Sequence, residues 1–151
     1  MAVSVSKFNT FTFFKLPAAW WCGVRLRYLD KEKAIVTVKH KWFNQNPFNS
    51  MYFAVQSMAA ELSTGALVLK KIGDSKKKVS MLVTNHSGSF TKKAKGKITF
   101  TCNDGFKIDN ALNNTIKTGE GETFTLNSEG FDQVGDQVSS YQFEWSIKLK
   151  K

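Results

Sequence analysis

The chain is 151 residues long, 42% hydrophobic and 23% charged, which suits a single globular domain over residues 1–151, large enough to bury roughly two-thirds of its unfolded surface without metals or staples. Its two cysteines, Cys22 and Cys102, form no CxxC pair, which excludes a disulfide framework or a structural zinc site and leaves both as expected buried thiols. The net charge of +10 points to an anionic partner, but Arg25 and Arg27 are the only arginines, and nucleic-acid recognition draws heavily on the guanidinium fork. No apolar run approaches the roughly 18 residues of a membrane span, and Met1–Lys15 lacks the cationic start and cleavage site of a signal peptide. A soluble cytoplasmic protein without membrane or nucleic-acid partners is the expectation.

In chain order, Phe8 to Leu16 reads as a short helix ended by Pro17. Val24–Leu29 and Ala34–Lys41 alternate with period two and are joined by the charged turn Asp30–Lys33, which predicts an antiparallel ribbon. From about Ser50 to Ile72 the pattern changes: Met51, Val55, Met58, Leu62, Gly65, Leu69 and Ile72 recur at spacings of four and three, as in a helix that lays one stripe on a core. Asn49 and Ser50 are the expected caps, and Gly73 with Asp74 the expected stop. Small residues from Ala54 to Ala66, Gly65 among them, leave room for another element to approach. Alternation returns in Val79–Asn85, Ser89–Ala94, Lys97–Asn103, Glu122–Asn127 and Tyr141–Leu149, with a second, shorter helix expected between Asn103 and Gly119. The order of elements makes the chain α+β.

Glu61 fits its surroundings least. It lies mid-helix among small residues and, at 100° per residue, on the shoulder of the apolar stripe. The pattern leaves open two readings: an ordinary solvent-facing glutamate, or a carboxylate tuned by burial for base or nucleophile work. The approach to the helix, KWFNQNPFNSMYF, packs Asn44, Asn46 and Asn49 with several aromatics just before a helix N-terminus, whose free N–H groups can hold a carbonyl oxygen or oxyanion. The asparagines serve equally well as turn and cap residues. No GxSxG, Walker loop, GxGxxG or HExxH occurs, and His40 and His86 are far apart in sequence. No cofactor and no metal is expected.

The element order and these residues together resemble the hot-dog fold, a curved antiparallel sheet around one long central helix, and within it the DUF4442-like branch related to phenylacetate-type acyl-CoA thioesterases. The resemblance runs from about Gly23 to Lys150. In that superfamily an Asn is followed three residues later by Gly, a His-Gly pair opens the helix, and an acidic residue lies nine positions after the His; Asn46, Asn49, Tyr52-Phe53 and Glu61 stand at those places. Tyr52, Phe53 and Asn49 depart from the pattern in identity. The resemblance implies that Glu61 attacks the thioester carbonyl or activates water, that Asn46 orients that water or carboxylate, and that the Phe53 N–H polarises the thioester oxygen. It implies a homodimer or dimer of dimers whose partner subunit lends a hydroxyl, for which Thr64 and Ser80 are candidates. Tyr52, Asn49, Met58 and Leu62 would line the substrate site. Two functions follow: hydrolysis of an acyl-coenzyme A or acyl-carrier thioester, or a catalytically silent module that binds an acyl or aromatic ligand. A single-stranded nucleic-acid binder is disfavoured, because Tyr141, Phe143 and Trp145 share a face with Ile147 and Leu149 and so read as core.

Overall fold

The computed structural model describes residues 4–150. Two short helices lead in, α1 (Val5–Lys15) and α2 (Pro17–Trp21). Ser4 caps α1 through the Lys7 N–H, and Pro17 opens α2 instead of merely ending α1, since its fixed φ suits a first helical position. The ribbon follows as β1 (Arg25–Leu29) and β2 (Ala34–Lys39). Its turn is held by the Asp30 carboxylate, which accepts from the Glu32 and Lys33 N–H groups at 2.8 and 2.7 Å.

The long helix α3 spans Phe53–Ser75, three residues later at each end than its apolar stripe indicates. Its start is displaced because Ser50 and Met51 are engaged elsewhere: the Ser50 N–H and hydroxyl are tied to Asn46, and Met51 bridges to Gln45 and donates its N–H to the Ala94 carbonyl. Asn49 turns the chain in a left-handed conformation, with φ of 56°, and Tyr52 becomes the N-cap without a capping side chain. At the other end the helix runs through Gly73 and Asp74 and stops at Lys76, itself left-handed. The buried surface is also broader than one stripe. Leu62 to Val68 are buried without a break, whereas Leu69 is partly exposed, because α3 touches all six strands as well as α2 and α4.

The remaining elements are β3 (Val79–Phe90), β4 (Lys97–Cys102), α4 (Gly105–Thr118), β5 (Glu122–Phe131) and β6 (Gln137–Leu149). The two strands expected over 79–85 and 89–94 are one. Its ladder with β6 continues through His86, Ser87 and Gly88, and Gly88 fits there because the Tyr141 ring of the facing strand lies where a side chain would stand. Ala94 is buried in the segment that follows. The sheet is antiparallel throughout, in the order β1-β2-β4-β5-β6-β3, and it curves around α3 in the hot-dog arrangement. Tyr141, Phe143, Trp145 and Ile147 line the core as their shared face requires. Cys102 is buried, and burial pushes its thiol up to about 12, whereas Cys22 is only partly covered.

Four polar bridges fix the rotation of α3 on the sheet. The Ser139 hydroxyl donates to Gln56 Oε1 at 2.9 Å, Ser57 to the Tyr141 hydroxyl at 3.1 Å, and Trp145 Nε1 to Thr64 Oγ1 at 3.0 Å, while Ser63 and Ser128 share a bond of 2.7 Å. Each satisfies a group that would otherwise be buried at a cost of about 1–3 kcal/mol.

Candidate active site

Six of the nine expected site residues line two cavities beside α3, three in each. The first, of about 280 Å³, lies between α3 and the α1–α2 corner, where Leu16, Pro17 and Ala19 face Met58, Glu61 and Leu62. Glu61 is partly buried there, with no hydrogen bond to its carboxylate from any described residue. Burial alone therefore acts on it and pushes its pKa up to about 7. Gly65, one turn on, leaves the space into which the carboxylate folds: a methyl group there would sit 3.2 Å from both Glu61 Oε1 and the Trp145 ring. A carboxylate in such a wall exchanges a proton near neutral pH, which suits a general base.

The second cavity, of about 470 Å³, lies at the N-terminus of α3, between the Asn46–Phe53 approach and the Phe90–Ala94 segment. Tyr52 and Phe53 are half-exposed and form its aromatic wall, stacked edge to face on each other, with Phe53 also against Phe90. They border the cavity without filling it. With no capping side chain on the first turn, the Phe53 N–H is free for a ligand oxygen. Asn46 lies in this wall, but its polar atoms are engaged: Oδ1 accepts from the Phe48 and Ser50 N–H groups, and Nδ2 reaches Ser50 Oγ and the Met51 carbonyl. Its side chain holds the loop that presents Phe53.

Within one chain, then, Met58 and Leu62 join Glu61, and Asn46 and Tyr52 join Phe53, but the two groups stay apart. Phe53 and Glu61 are eight residues distant on one helix, about 12 Å along its axis. Asn49 is exposed outside both cavities and serves the turn. Thr64 is fully buried, its hydroxyl spent on the Glu61 carbonyl and Trp145, which leaves no face for substrate. Ser80 lies exposed on β3 and donates to the Lys148 carbonyl. Among the described residues no group of three or more His, Cys, Asp or Glu could hold a metal ion, and no helix is long and apolar enough to cross a membrane.

The sequence reading passed over Gln56, Lys93 and the Leu16–Pro17 corner. Gln56 had a signal, as a polar residue three positions after Phe53 and beside the buried Val55. Lys93 stands at the rim of the second cavity without a carboxylate partner, whereas Lys92 is held by Asp132 and Asp136, both at 2.7 Å.

A family model described as a domain of unknown function, DUF4442, matches residues 5–147. Among solved structures, the chain is similar to a protein of unknown function from Pseudomonas aeruginosa described as a probable thioesterase, with a TM-score of 0.82 at 19% identity over 96% of each chain. It is similar to a protein of unknown function from Chlorobaculum tepidum, with a TM-score of 0.83 at 14% identity over 99% of each chain. A thioesterase from Haemophilus influenzae superposes with a TM-score of 0.76 at 10% identity, over 97% of this chain and 91% of that one. No protein of curated function matches the chain. Identities this low speak to the fold alone, which is the hot-dog fold.

Proposed function

The chain belongs to the DUF4442 family, and from that premise and the geometry of its two cavities we propose that it hydrolyses an acyl thioester at a site shared by two copies of the chain. The observation that carries this reading is Glu61, a carboxylate in an apolar wall with a pKa near 7 and no partner. It takes a proton from water as the water adds to the thioester carbonyl. The resulting oxyanion rests on the Phe53 N–H of the second copy, one such donor contributing about 3 kcal/mol in the transition state. Collapse breaks the carbon–sulfur bond, and the departing thiolate recovers the proton from Glu61. Asn46 keeps the loop before Phe53 in place, and the Lys93 ammonium, which donates to the Phe48 carbonyl at 3.5 Å and has no carboxylate partner among the described residues, meets an anionic carrier such as coenzyme A. Structural neighbours described as thioesterases support the reaction class.

Two copies are needed because 12 Å of helix separates Glu61 from the Phe53 N–H in one copy, too far for both to act on one carbonyl. The sheet edges support the same arrangement. The Asn9 side chain covers β1 by bonding both the N–H and the carbonyl of Leu26, at 3.0 and 2.9 Å. At the opposite edge β3 is twelve residues long, has no strand on its outer side among the described residues and leaves Leu82 65% exposed, a ready template for pairing with another chain.

The test is Glu61→Gln, which keeps shape and deletes the charge. Coupled to a thiol reagent, hydrolysis of a panel of acyl-coenzyme A esters should fall about 100- to 10,000-fold in the variant. In the wild type the rate should rise with pH through about 7 as the base ionises. Equal rates for both proteins would remove Glu61 from the chemistry. The aromatic wall of Tyr52, Phe53 and Phe90 favours a second reading, ligand binding without turnover, which takes over if the wild type binds the esters and hydrolyses none.

A further inference from the structure

Gln56 stands one turn into α3 and is 4% exposed. Its amide is divided between two surroundings: Oε1 accepts from the buried Ser139 hydroxyl, whereas Nε2 has no hydrogen-bond partner among the described residues. The side chain also lines the cavity at the helix N-terminus. Nε2 is not fully buried, so it opens to the cavity, and an apolar group that displaced water there would leave it unpaired at a cost of about 1–3 kcal/mol. Ser139 is fully buried and its hydroxyl takes Oε1, which leaves Nε2 as the end of the amide turned to the cavity. Three residues separate Gln56 from Phe53, which places both on one face of the helix, about 4.5 Å apart along the axis.

We infer that Gln56 is a specificity-determining residue that donates a hydrogen bond to a second oxygen of the acyl group, close to the thioester carbonyl held by the Phe53 N–H. The inference rests on the thioester reading for the first oxygen. The second lies within one helical turn of it, a span that an oxygen on the third carbon of the acyl chain meets and a plain hydrocarbon chain cannot. A plain chain leaves the Gln56 donor unpaired, so the site discriminates in favour of the oxygenated acyl group.

The test compares octanoyl and 3-hydroxyoctanoyl coenzyme A with wild type, Gln56→Met and Gln56→Glu. In the wild type, kcat/KM should favour the hydroxylated ester by about 3- to 10-fold, the worth of one neutral hydrogen bond. Gln56→Met, which fills the space without a donor, should bring the ratio to about one. Gln56→Glu keeps an oxygen for Ser139 and turns an acceptor toward the cavity, so the ratio should fall to one or below. The Glu variant decides the matter if the Met variant fails to fold. A ratio near one in the wild type, or one that survives both substitutions, overturns the inference. If the wild type hydrolyses neither ester, calorimetric titration with octanoate and 3-hydroxyoctanoate reads Gln56 by itself: the same preference lost on substitution upholds the donor, and equal binding throughout overturns it.

Discussion

Glu61 makes the chain's stability depend on pH in a direction that can be worked out. Unfolded, it ionises near the ordinary value of 4.5; folded, burial raises this to about 7. The neutral carboxyl's contribution is therefore fully present below 4.5 and lost as pH rises through 7. At pH 8 the folded state carries a deficit on the order of 3 kcal/mol for keeping a charge in that wall. Glu61→Gln relieves it, so the variant should match the wild type in Tm at pH 4.5 and exceed it by about 5 °C at pH 8. Calorimetric scans at the two pH values check this, and an offset that ignores pH would contradict it. The partial burial of Glu61 was one of the two readings its place among Ala59, Ala60, Ser63 and Gly65 left open, and the structure selects it over a fully solvent-facing glutamate. The wall it faces was not legible in the sequence, since Leu16 and Pro17 lie more than forty residues away and nothing local links them. Gln56 draws no reading and Thr64 is taken for an assisting hydroxyl for a common reason. A polar residue on a helix reads as solvent-facing unless its partner is known, and theirs, Ser139 and Trp145, come from the last strand.

Among the elements, periodicity located α3, the ribbon and the core face of β6, because these signals depend on the residues' own spacing. Its limits appear at the ends and breaks of elements, where tertiary partners decide. Asn49 and Ser50 have capping chemistry, yet Asn46 claims the Ser50 hydroxyl and the helix begins later. Gly88 reads as a break, yet the Tyr141 ring above it makes it a strand residue. Two other glycines give a matched test of this dependence on surroundings. Gly105 opens α4 against the ribbon turn, and a Cβ there would lie 2.2 Å from the Lys31 carbonyl oxygen and 2.5 Å from Glu32 Cα, both backbone atoms. Gly105→Ala must move the β1–β2 turn away from α4 and should cost about 2–3 kcal/mol. Gly73, within the last turns of α3, has nothing within 4 Å of such a methyl and no positive φ. Gly73→Ala should stabilise by about 0.5–1 kcal/mol through helix propensity and a stiffer unfolded chain. Urea denaturation of the two variants checks the contrast, and equal effects would contradict it.

For the whole molecule, the division of the site is the main consequence of the fold. One long helix carries the proposed base, Glu61, in its middle and the proposed oxyanion donor, the Phe53 N–H, at its N-terminus, and each opens into its own cavity. A two-fold axis that brought each carboxylate to the other copy's N–H would give every dimer two equivalent sites. The most direct measurement is complementation between two inactive variants. Glu61→Gln lacks the base. Phe53→Pro lacks the N–H but keeps the helix, because proline suits its first position and Tyr52 already has the extended conformation that must precede proline. Each variant should be inactive alone. Unfolded together and refolded as an equal mixture, half of the dimers should be mixed, each with one intact site of its two, so acyl-coenzyme A hydrolysis should return to about a quarter of the wild-type rate. A mixture as inactive as its parents, although mixed dimers have formed, would contradict a site shared between two copies of the chain.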